Sequence, residues 1–91
     1  VAGTAPEVRR KVRRFVRNMT SEERMLVVLK AELYEGSWDD MAADLKARLE
    51  DRPYIFKLAH RITDDLERIR RLREFEDSCG VDLSDYVRME P

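Results

Sequence analysis

From Pro53 to Cys79 the chain contains no glycine and, after Pro53, no further proline, while apolar side chains recur every three or four residues. Ile55, Leu58, Ile62, Leu66, Ile69 and Leu72 fall on one stripe of a helical wheel, a period no strand can use. Across the wheel, opposite charges stand four apart: Asp64 with Arg68, Glu67 with Arg71, Arg70 with Glu74 and Arg73 with Asp77. Each such pair favours helix by ~0.2–0.5 kcal/mol. At a rise of ~1.5 Å per residue this predicted helix, over about 53–79, is about 40 Å long. Gly80 supplies its stop, and Val81 is placed to fold back on Phe75. A helix of that length with a continuous apolar seam needs cover along its whole length, from the rest of the chain or from a second subunit.

Three shorter helices precede it. Val8, Val12, Phe15, Val16 and Met19 share one arc, predicting an amphipathic helix over about 7–19 with Pro6 in its first turn. Thr20 and Glu23 form a capping box for a second helix over about 21–35, closed by Gly36. Its apolar residues, Met25 to Leu29 with Leu33 and Tyr34, spread around most of the wheel and mark it as the central, most buried helix. Ser37 caps a third over about 38–50, with Trp38, Met41, Ala42, Leu45 and Leu49 on one arc. Asp51, Arg52 and Pro53 break the chain and restart it. Leu83, Tyr86, Val87 and Met89 suit one short closing turn. The expected fold is an all-α bundle of four helices with a short C-terminal turn, the last helix over-long. Residues 1–91 form a single domain, in which 1–6 is a flexible tail, 7–19 a basic helix and 20–91 an acidic body. Helices two and three laid end to end match helix four; if they fold on each other instead, its distal half requires a second subunit.

The formal charge of −1 from 18 basic and 19 acidic side chains conceals a division along the chain. Arg9, Arg10, Lys11, Arg13, Arg14 and Arg17 face only Glu7 within the first twenty residues, a net +5, so the remainder carries −6. A basic arm on an acidic body has two sinks for its cations, the body itself or an external polyanion such as nucleic acid. Pairing within the protein is the expected outcome.

Little material for catalysis is present. His60, Asp64 and Glu67 share a face almost opposite the apolar stripe, whereas bundle metal sites are assembled in the core from several helices, so a solvated charged face is the plainer reading. Glu32 and Glu35 lack the histidine that would complete a carboxylate motif, and Cys79 lies at a helix C-terminus, where the dipole opposes a thiolate. No serine sits in a nucleophile elbow and no glycine-rich loop could cradle a phosphate. The expectation is a non-enzymatic protein without cofactor, metal or small-molecule substrate. A lone cysteine and the absence of any long apolar run suggest a cytoplasmic location with no membrane span.

Tyr54 and Phe56 flank Ile55 without sharing its stripe. Phe56 and Trp38 are expected to meet across the turn before helix four and enlarge the core; an exposed Phe56 would instead be an interface anchor. The segment Ser21 to Ile62 has Glu35 and Gly36, then Ser37, Trp38, Asp39, Asp40, Met41, Ala42 and Leu45. In that order it resembles the four-helical DNA-binding region of sigma factors and related helix-turn-helix regulators. The resemblance implies that Tyr54, Lys57, His60 and Arg61 would approach DNA.

The leading expectation is a helical module for protein–protein association, as a homodimer or with another protein. Its candidate interface is Tyr54, Phe56, Ile62, Leu66 and Ile69, on helix four, with the exposed sides of helix two. The alternative is nucleic-acid binding, through the helix-turn-helix or through the six cations of the arm.

Overall fold

The computed structural model describes residues 5–87, which form five helices: α1 (Pro6–Arg17), α2 (Ser21–Leu33), α3 (Trp38–Asp51), α4 (Phe56–Cys79) and α5 (Ser84–Val87). Most of the expected tail and Met89 lie outside the described residues. The all-α bundle with one over-long helix is the observed architecture.

Local signals set most of the helix ends. At the start of α2 the Glu23 N–H donates to Thr20 Oγ1 at 3.2 Å and the Thr20 N–H to Glu23 Oε1 at 2.9 Å, a complete capping box. The Asp40 N–H donates to Ser37 Oγ at 3.1 Å at the start of α3. Gly80 closes α4 with φ +66°, its N–H 2.7 Å from the Glu76 carbonyl. Helix α2 ends at Leu33, two residues before the expected stop, because Glu35 and Gly36 both turn left-handed, at φ +51° and +80°.

The start of α4 differs from expectation. Pro53 does not open the helix. A turn spans Arg52–Ile55, closed by the Ile55 N–H on the Arg52 carbonyl at 3.3 Å, and Pro53 stands at its second position, which the fixed proline φ suits. Asp51 remains in α3 and Ile55 precedes α4 without a side-chain cap.

Helices α3 and α4 form an antiparallel hairpin. At the start of α3, the Trp38 indole N–H donates to Glu76 Oε1 at 2.7 Å, and Asp39 pairs with Arg73. Both partners lie toward the end of α4, while residues 52–55 join the other ends. Helix α2 lies beside the C-terminal half of α4 and runs in the same direction, with Glu23 on Arg71 and Lys30 on Glu76. Helix α1 lays Val12 and Val16 into the core, Met19 in the connection after it does the same, and the Phe15 ring of α1 stacks on Phe75 with centroids 3.8 Å apart. The Arg71 guanidinium lies 5.1 Å from the Phe15 ring centroid, and Arg24 Nη2 donates to the Val16 carbonyl at 2.7 Å. One core cluster draws on all five helices, including Val12, Val27, Trp38, Ile69, Leu72 and Leu83.

Three packing expectations are corrected. Helix α2 is not buried all round: it buries Glu23, Leu26, Val27 and Lys30, while Met25 and Leu33 remain 60% and 67% exposed. Trp38 and Phe56 do not meet, because the hairpin sends them to opposite ends of α4. Two of the four charge pairs expected along α4 are replaced by pairs between helices, Arg71 with Glu23 and Arg73 with Asp39. Arg68 turns to Asp65 at 2.7 Å instead of Asp64, and Arg70 binds both Glu67 and Glu74.

The helix-turn-helix expectation is corrected by the same hairpin. Helices of that motif cross at roughly 90–120°. Trp38 stands about 20 Å from the end of α3 and Glu76 about 30 Å from the start of α4, so a crossing near right angles would hold them more than ~30 Å apart. They are hydrogen-bonded at 2.7 Å.

Candidate functional site

The structure presents three arrangements that could carry function: a buried polar cluster, a groove and a cationic face.

The cluster centres on Lys30, whose side chain is 2% exposed. Its Nζ donates to Glu76 Oε2 at 3.1 Å and Asp82 Oδ1 at 3.2 Å, and stands 4.7 Å from the Trp38 ring centroid. Glu76 also accepts from the Trp38 indole N–H and, at 2.8 Å, from the Leu83 backbone N–H. Burial acts to raise the Asp82 carboxyl, but hydrogen bonds from the Ser84 hydroxyl and N–H, with the Lys30 charge, outweigh it and hold the group below its ordinary range. Among the described residues every buried side-chain polar atom has a partner. The cluster therefore ties α2, α3, α4 and the approach to α5 together and leaves no group free for chemistry. The sequence reading missed it because it counted apolar residues only. A signal was present: Lys30 follows Leu26 and Val27 at helical spacing, and Glu76 follows Ile69 and Leu72, so both charges occupy stripe positions.

The groove, of about 760 Å³, runs between α2 and the N-terminal part of α4. Met25, Leu26, Leu29 and Phe56 supply its apolar lining. Its charged lining carries both signs, with Glu22 and Asp64 among the acids and Lys57 and Arg61 among the bases. Among the described residues Lys57, Arg61 and Asp64 make no ion pair. The Glu22 carboxyl is held below its ordinary range chiefly by its own backbone N–H at the helix start, then by the Ser21 hydroxyl.

The expected interface residues divide. Tyr54 and Phe56 stand 73% and 77% exposed at the hairpin tip. Ile62 and Ile69 are buried within the chain itself and Leu66 is half-buried, so the stripe of α4 is not an open seam. Of the metal-like triad, His60, Asp64 and Glu67 are all exposed; His60 and Asp64 line the groove, while Glu67 binds Arg70, whose guanidinium holds its carboxyl below the ordinary range. Cys79 is half-buried beside the core.

The third arrangement is α1. Arg9, Arg10, Lys11, Arg13, Arg14 and Arg17 are all exposed, and among the described residues none of them makes an ion pair. The expected pairing with the acidic body is thereby corrected. The helix docks through its valines and Phe15, and that contact turns its charged side outward. No helix of the described residues is long and apolar enough to cross a membrane. Comparison with models of known families, with curated proteins and with solved structures gives no match.

Proposed function

We propose that the chain is a non-enzymatic helical module that acts by association with a second copy of itself, through the groove between α2 and α4. The observation that carries this reading is the exposure of Phe56 at 77% and Met25 at 60% on one groove. Phenylalanine, tyrosine, methionine and arginine are the side chains enriched in protein interfaces; Met25, Phe56 and Arg61 line this groove, and Tyr54 stands exposed two residues before Phe56. Large apolar groups clustered on one face favour removal from water by roughly 25 cal/mol per Å² buried.

The rim favours a second copy over an unrelated partner. A two-fold interface places one patch against itself, so a patch with charges of one sign repels its copy. Here Lys57 and Arg61 stand beside Asp64 on the same helical face, all three without an ion pair among the described residues. Arg61 and Asp64 are three residues apart, and in an antiparallel pairing of two α4 helices each can meet the other's counterpart.

Sedimentation velocity across a micromolar concentration range tests the reading. The expected result is a monomer–dimer equilibrium that Phe56→Lys shifts to monomer with helicity unchanged, since the side chain it replaces is exposed. A parent chain that stays monomeric throughout the range overturns the proposal, and so does a dimer indifferent to both Phe56→Lys and Met25→Lys.

A further inference from the structure

We infer that the outer face of α1 is a docking surface for the phosphate backbone of duplex nucleic acid, bound without regard to base sequence. At 100° per residue the six cations span an arc of about 200°, and Arg10 and Arg17 lie diametrically opposite the stripe of Val8, Val12, Phe15 and Val16. The stripe is in the core and every cation is exposed, so the body holds the helix with its charged side turned to solvent.

The treatment of arginine elsewhere in the molecule sharpens the contrast. On α4, Arg68, Arg70, Arg71 and Arg73 are each paired with a carboxylate, two of them from other helices. On α1, Arg9 and Arg13, Arg10 and Arg14, and Arg13 and Arg17 stand four apart with the same sign, a spacing that destabilises a helix. The chain thus contains carboxylates that capture these four arginines in the C-terminal half of α4, whereas Arg61 nearer its start and all five arginines of α1 have none among the described residues. An external polyanion relieves that repulsion.

Duplex nucleic acid fits this face better than a lipid surface. A helix that binds a bilayer in its plane buries its apolar side among the acyl chains. In α1 that side is committed to the core, with Val12 fully buried and Phe15 stacked on Phe75. What remains is a rigid row of cations about 12 Å long from Arg9 to Arg17. Along one strand of a duplex the phosphates follow at ~3.4 Å per step of its axis, so about four of them come within reach of such a row. The acidic body repels the same polyanion and leaves α1 as the face of approach.

Fluorescence anisotropy with a random-sequence DNA duplex, in a salt series, tests the inference on the full chain. With about four counterions released, affinity falls roughly 150-fold between about 50 and 200 mM salt. Replacing Arg9, Arg10, Arg13 and Arg14 together by glutamine abolishes binding while circular dichroism remains that of the parent, and Arg17→Gln alone reduces the salt slope by about one. A scrambled duplex of equal length binds equally well. Undetectable binding at low salt, binding insensitive to salt, or binding unchanged in the fourfold variant overturns the inference. Binding to phosphatidylserine vesicles without binding to the duplex also overturns it. Because the self-association variants lie on the groove and these on α1, failure of one proposal is distinguishable from failure of the other.

Discussion

Replacing Lys30 by methionine tests whether the buried polar cluster holds the bundle together. Methionine keeps most of the aliphatic stem and removes only the ammonium, so the change isolates the charge from the packing. Glu76, its side chain 10% exposed, then faces the core without its cation. Removing one partner of a buried ion pair costs ~3–5 kcal/mol. The Trp38 indole at 2.7 Å and the Leu83 N–H at 2.8 Å still donate to the carboxylate, which places the expected loss at the lower end, about 3 kcal/mol. In a domain of this size 1 kcal/mol moves Tm by ~4–8 °C, so the midpoint should fall by about 15 °C. Urea unfolding followed by circular dichroism and by the emission of Trp38, the one tryptophan of the chain, measures the loss directly. The variant Glu76→Gln should cost about as much, and the double variant less than the sum by about 2 kcal/mol, because neither charge is then stranded. A Lys30→Met chain within ~0.5 kcal/mol of the parent would refute the reasoning, since the buried charge would then be satisfied without its partner.

Two further outcomes follow from the helix ends and the titrating groups. Thr20→Ala removes the side-chain half of the capping box and should destabilise the fold by about 1 kcal/mol in the same urea assay, an effect absent in Ser21→Ala, whose hydroxyl reaches only the neighbouring Glu22. Asp82 titrates below its ordinary value of 3.8 in the folded chain, so its contribution is present above that value and is lost as pH falls through the lower, folded one. Between neutral pH and about pH 2 the urea midpoint of Asp82→Asn should therefore fall less than that of the parent, and coincident profiles would contradict the assignment.

The boundaries that could be read from the sequence are those settled within three or four residues. Thr20 with Glu23, Ser37 with Asp40, and Gly80 each make their bonds to backbone a turn away, and all three act where the sequence places them. Pro53 carried a double meaning, since its fixed φ serves a first helical turn and the second position of a β-turn equally well, and the hairpin selected the latter. The partners of Arg71 and Arg73 depended on which helices lie alongside α4, which no local spacing encodes. The direction of the α1 cations was legible because it follows from helical period alone; that they stay unpaired depended on how the body packs. The groove was hidden for a related reason, as Met25 and Phe56 are far apart in sequence and share a surface only once α2 lies against α4.

Amide resonances followed through a dilution series offer the most direct test of self-association through the groove. The account predicts concentration-dependent shifts gathered on Met25, Leu29 and the first turns of α4 around Phe56, Arg61 and Asp64, with α1 unaffected. Spectra that do not change with concentration, or changes confined to residues away from the groove, would contradict it.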